Sequence, residues 1–382
     1  MRFVLIGPAA PLRGGIALGN DALAQALSQA GHTVTQLSFS RLYPHGLFPG
    51  RSQYDVTAGE VPAPAQLCID SISPLSWWRT ARTIARLQPH LITFQWWHPF
   101  FAPCYATIMA RCKRLFPTAA RVLISHNTRP HEPLPGQDAA LRLVARRCDG
   151  VIVHSRSEQD LMTVVAPDTL VRLVDYPLLP TVRTLPAREA AQGRLVVSGR
   201  VLLFFGYVRK YKGVDLLLQA LAQVPTDLTV TLLIAGEWYD SWEPYHTLIE
   251  KLGLTDRVRV INRYIPETEW PDLFAATDAL VLPYRTASQS MSIALAYGFG
   301  KPVIVSRVGG LAEAVEDGRT GLIAEPEPAA LATAIRRLYR EFLGSPYQQH
   351  INARRQRLGW EPMIRLLEDW PDPAGQKSQA AV

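Results

Sequence analysis

Two series of short apolar runs, alternating with longer amphipathic stretches, fill the chain and restrict its fold more than any other feature. In the first series the candidate strands are 3–6, 34–39, 91–95, 122–125 and 151–154, with helical periodicity at 17–29, 77–87 and 139–147. The second series runs 201–205, a helix at 214–222, 228–235, a helix around 245–252, then 258–264, 270–276, 279–283, 292–297, 302–306 and 331–342. Strand then helix, repeated, builds a parallel sheet covered on both faces. The expected fold is therefore α/β, with two consecutive doubly wound, Rossmann-like domains. Between the series, 178–200 carries Pro180, Pro186, Gly193 and Gly199 and keeps no period. This sets the expected bounds at 1–182 for the first domain, 183–200 for a linker, 201–360 for the second domain and 361–382 for a C-terminal helix and frayed tail.

With 382 residues there is room for two cores, and 48% hydrophobic against 19% charged residues excludes a disordered or fibrous chain. The four cysteines, Cys68, Cys104, Cys112 and Cys148, form no C-x-x-C pair, which argues against a disulfide framework and a structural zinc. A reducing, cytoplasmic setting fits. The apolar run at the start soon meets Pro, Arg and Gly, too short for a signal-peptide core, and no later segment suits a spanning helix. Charge is uneven. Residues 1–182 hold 17 Lys and Arg against 11 Asp and Glu, leaving 23 against 22 for the remainder. The basic half either meets something anionic or reflects an Arg-rich composition, since only six of the 40 basic residues are Lys.

Open α/β sheets bind ligands beyond the carboxyl ends of their strands, so two facing sheets would place the ligand in the interdomain cleft. Three loops stand at such ends. In the 7–16 loop, GPAAPLRGGI, Gly14 and Gly15 permit close approach of polar oxygens to a helix N-terminus, and Arg13 adds a charge; a merely tight turn is the other reading. The segment FFGYVRKYKGVD ends an apolar strand at Gly206, supplies Arg209, Lys210 and Lys212, and opens a helix at Gly213. Cations at a strand end beside a helix N-terminus suit a diphosphate. Farther on, Ser288, Gln289 and Ser290 precede a helix and offer hydroxyl, amide and backbone N–H groups to a sugar or phosphate.

Together with QWWHPFFAP, SHNTRPHE and GKPVIVSRVGGLAEAVEDGRTG, these segments resemble the retaining nucleotide-sugar glycosyltransferases of family 4, also called group 1, of GT-B architecture. The resemblance covers most of the chain and implies that Arg209 and Lys212 bind the donor diphosphate. It places His126 near the reacting centre, where a residue titrating near neutrality could bind a sugar hydroxyl or move a proton. His131 and Glu132, in the following loop, could serve the acceptor. Two departures matter. The common form has Arg directly after the Gly, where this chain has Tyr207; and the usual pair of glutamates is replaced by Ala287 and Leu295. The SQS loop is then read as an alternative donor loop. With no Asp-x-Asp pair, no metal or other cofactor is expected.

The resulting expectation is a metal-independent enzyme moving a hexose from a GDP- or UDP-sugar to a glycan or polyprenyl-diphosphate-linked acceptor in cell-surface polysaccharide synthesis. A noncatalytic sugar-nucleotide binder and an epimerase remain open. No motif accompanies the basic charge, so nucleic acid is not an expected partner. Trp77, Trp78, Phe100 and Phe101, with Arg79, Arg82, Arg86, Arg111, Lys113 and Arg114, suit either an anionic membrane surface at the cytoplasmic face or a core with ordinary surface arginines.

Overall fold

The computed structural model describes residues 1–48, 50–55, 65–179 and 184–371. Two compact units result, one from Met1–Asp175 with the segment from Trp360 onward, the other from Tyr176–Gly359. In the first, β1 (Arg2–Ile6), α1 (Gly15–Gln29), β2 (Thr33–Arg41), β3 (Gln66–Asp70), α2 (Pro74–Leu87) and β4 (Leu91–Trp96) are followed by α3 (Ala102–Leu115), β5 (Ala120–Ser125), α4 (Gln137–Ala145), β6 (Gly150–Val153), α5 (Arg156–Val165) and β7 (Val171–Leu173). The strands form a parallel seven-stranded sheet in the order β3-β2-β1-β4-β5-β6-β7. Every residue of β4 and β5 is buried, as a strand covered on both faces requires.

Alternation along β1 divides the core. Val4 and Ile6 join Ile92, Phe94 and Leu123 against Ile84 of α2 and Tyr105 and Ile108 of α3, whereas Phe3 and Leu5 join Val122, Ile124 and Leu27 of α1 on the opposite face. At about 1.5–3 kcal/mol for each fully buried large apolar side chain, these two layers dominate the unit's stability.

The second unit contains α6 (Arg188–Leu195), β8 (Arg200–Phe205), α7 (Val214–Ala222), β9 (Val230–Ala235), α8 (Glu243–Lys251), β10 (Val258–Ile261) and α9 (Trp270–Ala276). It continues with β11 (Ala279–Leu282), α10 (Met291–Gly298), β12 (Val303–Ser306), α11 (Gly309–Glu313), β13 (Gly321–Ala324), α12 (Pro328–Arg340) and α13 (Tyr347–Arg357). Its parallel sheet has the order β10-β9-β8-β11-β12-β13. Both units thus have the doubly wound architecture expected from the alternation.

The boundaries differ from the expectation. Of the expected 183–200 linker, the described residues 184–200 are not free: α6 packs Ala191 on Ala275 and Ala276 of α9, Gln192 donates to the Ala276 carbonyl at 3.0 Å, and Arg188 pairs with Asp278 at 2.7 Å. The C-terminal helix α14 (Glu361–Glu368) returns to the first unit. Met363, Leu367 and Trp370 there cover the face formed by Phe3, Leu5 and Ile152. Gly150 leaves room for that indole: a Cβ there would stand 2.5 Å from Trp370 Cζ2. The frayed tail expected at 375–382 lies outside the described residues.

Candidate functional site

In the second sheet the strand order reverses between β8 and β11, so the loops leaving these neighbouring strands flank a switch point, the place where open α/β sheets bind ligands. The loop after β8 is held firmly. Val208 N–H donates to Glu237 O at 2.9 Å and Tyr239 N–H to Val208 O at 3.0 Å, extending the strand pairing past Gly206. A short turn, Lys210–Lys212, then ends at Gly213, which has φ 68°. A Cβ at Gly213 would lie 2.0 Å from Pro283 O, so only glycine lets the β8 and β11 loops approach this closely.

Arg209 and Lys212 stand on this loop. The Arg209 guanidinium lies 6.0 Å from the Tyr239 ring and the Lys212 ammonium 5.4 Å from the Tyr284 ring. Lys212 folds back over Gly206, where a Cβ would come within 3.4 Å of Nζ. Burial, reinforced by the charge of Arg209, pushes the Lys212 pKa down to about 8. An anion between the two cations would relieve that repulsion.

Arg285 couples the two loops, and sequence reasoning missed it. Its guanidinium holds Asp215 in α7 with two bonds of 2.8 and 2.6 Å and donates to Lys210 O at 3.0 Å, while its own N–H donates to Tyr211 O at 2.7 Å. The available signal was an Arg three residues beyond the end of β11, opposite an Asp in the first turn of α7. On the same side, Ser288 is buried, Gln289 is half-buried, and Ser290, the residue before α10, bonds the Tyr284 hydroxyl with its side chain. The structure therefore brings Gly206, Arg209 and Lys212 to one end of the sheet with the Ser288, Gln289 and Ser290 loop. At the two expected glutamate positions, Ala287 lies in this loop and Leu295 is buried in α10.

The first unit holds the other candidates. Gly14, with φ 111°, precedes α1, and Gly15 is its first residue; Arg13 N–H donates to Gln53 O at 3.0 Å and its guanidinium lies 5.8 Å from the Phe48 ring. His126, just past β5, ends a buried chain of hydrogen bonds. Pro8 O accepts from Asn20 Nδ2 at 3.1 Å, Asn20 Oδ1 from Gln95 Nε2 at 3.0 Å, and Gln95 Oε1 from His126 Nε2 at 2.6 Å. Because a carbonyl can only accept, the chain has one direction and fixes the ring proton on Nε2. Burial and the nearby His154 push the His126 pKa down to about 3. The expectation that it titrates near neutrality is therefore corrected: His126 is a neutral ring oriented through Gln95 beneath the β1 loop. His131 is half-buried and Glu132 exposed, farther along the same loop.

The aromatic expectation divides. Phe101 and Trp77 are buried, the latter donating to Asp70 O at 2.7 Å; Phe100 is half-buried, and Trp78 is exposed. His98 Nδ1 accepts from Phe100 N–H at 3.2 Å and so caps a turn.

Residues 13–171 match the family described as Glycosyltransferase Family 4, and residues 199–341 the family described as Glycosyl transferases group 1. Among curated relatives, D-inositol 3-phosphate glycosyltransferase 2 of Catenulispora acidiphila is 35% identical over 159 residues, covering 39% of this chain and 36% of that protein. The D-inositol 3-phosphate glycosyltransferase of Streptomyces avermitilis is 30% identical over 223 residues, 54% of this chain and 45% of that protein. In both cases the chain spans less than half of the relative's length. Similar solved structures include sucrose-phosphate synthase from Thermosynechococcus elongatus, with TM-score 0.72, 20% identity and 100% of both chains covered. Anabaena Alr3699/HepE in complex with UDP and glucose gives TM-score 0.72, 19% identity and 99% of both chains. At these identities the likeness is one of fold.

Proposed function

We propose that the chain, matched over 13–171 and 199–341 by the family 4 and group 1 glycosyltransferase models, is a transferase that moves a hexose from a nucleotide sugar to a glycan or lipid-linked acceptor, with retention of configuration. The observation that carries this reading is the Arg209 and Lys212 pair, held at the β8 and β11 switch point by the Arg285 and Asp215 bridge. In this reading the two cations and the N–H groups opening α7 and α10 meet the donor diphosphate and stabilise it as it leaves. No divalent ion is invoked. The Ser288, Gln289 and Ser290 loop contacts the sugar, replacing the carboxylates absent at Ala287 and Leu295. UDP is the preferred nucleotide because Alr3699/HepE, of like fold, was solved with it. His126, as a neutral ring, orients a sugar or acceptor hydroxyl, Gly14 and Gly15 serve the donor, and Arg13, His131 and Glu132 serve the acceptor. Cell-surface polysaccharide synthesis is the setting proposed.

A thermal-shift screen against UDP, GDP, ADP and dTDP sugars tests the donor site, since bound ligand stabilises the folded state by mass action. One nucleotide sugar is expected to raise Tm in the wild type and not in the Arg209→Ala, Lys212→Ala variant; no shift with any donor overturns the assignment. The missing carboxylates favour a second reading, a noncatalytic donor-binding protein. It predicts donor binding without release of nucleoside diphosphate when acceptors are supplied.

A further inference from the structure

On the first unit, α2 and α3 pack side by side. Their exposed faces carry Arg79, Arg82 and Arg86 on one helix and Arg111, Lys113 and Arg114 on the other, and neither helix contains an Asp or Glu. Among the described residues, none of these six cations has a carboxylate oxygen within salt-bridge distance, whereas eight arginines of the second unit are paired. Residues 1–182 hold 17 Lys and Arg against 11 Asp and Glu, so these six account for the whole positive surplus of that half.

Apolar groups emerge beside them. Leu75 is 60% exposed, Trp78 46% and Ile72, in the turn before α2, 47%. Helical spacing puts Leu75, Trp78, Arg79, Arg82 and Arg86 on one stripe, opposite the buried Trp77, Ala81 and Ile84. The Arg111 guanidinium lies 3.3 Å from the centre of the Trp78 ring, joining the stripe to α3. Cations alone would suit any polyanion, but exposed leucine, isoleucine and tryptophan beside them have no use on a phosphate backbone. Six like charges also repel a second copy of the same face. An anionic bilayer satisfies both features: the arginine heads reach lipid phosphates, their stems cover acyl-chain boundary, and Trp78 sits at headgroup depth.

We infer that the α2 and α3 face is a docking surface for an anionic lipid bilayer. This goes beyond the transferase reading and involves no sugar donor, so the two fail separately. It is tested by co-flotation of the full chain with phosphatidylglycerol-rich and with pure phosphatidylcholine vesicles, at low and high salt. Binding is expected to the anionic vesicles and to weaken with salt. Each arginine lost should weaken partition about five-fold, so Arg79→Gln, Arg82→Gln, Arg86→Gln together should weaken it roughly a hundred-fold. Leu75→Ser with Trp78→Ser should remove the fraction that survives high salt. The matched triple Arg336→Gln, Arg337→Gln, Arg340→Gln on α12 should leave partition near the wild-type level. Equal binding to both vesicle types, no binding at low salt, equal loss in the α12 triple, or retention on an acidic polypeptide alone would each overturn the inference.

Discussion

Replacing Lys212 by methionine is expected to stabilise the ligand-free protein while abolishing its response to nucleotide. Burial and Arg209 lower the Lys212 pKa from 10.5 to about 8. At 1.36 kcal/mol per unit, such a shift corresponds to a charging cost of about 3 kcal/mol. Solvent screening of the partly buried ammonium reduces this to about 1–2 kcal/mol. Methionine keeps an unbranched stem but forfeits the attraction to the Tyr284 ring, about 0.5 kcal/mol, leaving a net gain of about 1 kcal/mol. In calorimetry at neutral pH, Tm should therefore rise by about 2–4 °C. The sign with pH follows from linkage. Below about pH 8 both folded and unfolded states carry the charge and the cost is complete; between there and 10.5 the folded state has released a proton that the unfolded state keeps, so wild-type stability gains on the variant as pH rises. With UDP present the order reverses, because only the wild type binds. An unchanged or lower Tm in ligand-free Lys212→Met, with the same pH dependence as wild type, would refute the reasoning.

Arg285→Lys should raise KM for the donor several-fold with a smaller effect on kcat, because an ammonium cannot hold Asp215 by two parallel bonds; the half-exposed pair itself contributes about 1 kcal/mol or less to stability, measurable in a double-mutant cycle with Asp215→Asn. Gly213→Ala should lower stability by about 2 kcal/mol or more and weaken nucleotide binding, since its Cβ meets Pro283 O; denaturant titration reads both. With its pKa near 3, His126 should contribute no ionisation to kcat/KM between about pH 5 and 8, so His126→Gln should lower the profile without removing a limb from it. Trp370→Ala should cost about 3 kcal/mol and unfold the first unit preferentially, as tryptic cleavage and near-ultraviolet circular dichroism would reveal.

Legibility followed covering. β4, β5, β8 and β11 lie inside their sheets, so nearly every position is apolar and the runs stand out. The edge strands of the first sheet do not. β3 pairs with β2 through two register shifts and is half exposed, and β7 is three residues long with two of them exposed. Helix α3 carries Pro103 in its first turn and begins within the aromatic cluster, which masked its period; α6 lies among the Pro and Gly signals that suggested a linker. The loop that carries Arg209 and Lys212 was legible because its cations interrupt an apolar strand and a helix in a fixed order. Arg285 was not, because a single Arg in LPYRT acquires meaning only when β11 is placed beside β8 and Asp215 comes within 2.6 Å.

The one-dimensional pattern was sufficient to determine two parallel sheets and the loop that carries Arg209 and Lys212, since strand periodicity, glycine positions and charge order are local properties of a chain. Tertiary structure alone decided the ionisation of Lys212 and His126, which depends on burial and on charges brought close by folding. It also decided that α14 completes the first core rather than trailing the second, and that the surplus charge of the first half gathers on one face of α2 and α3. Those outcomes depend on distances between residues far apart in sequence, and only packing sets such distances.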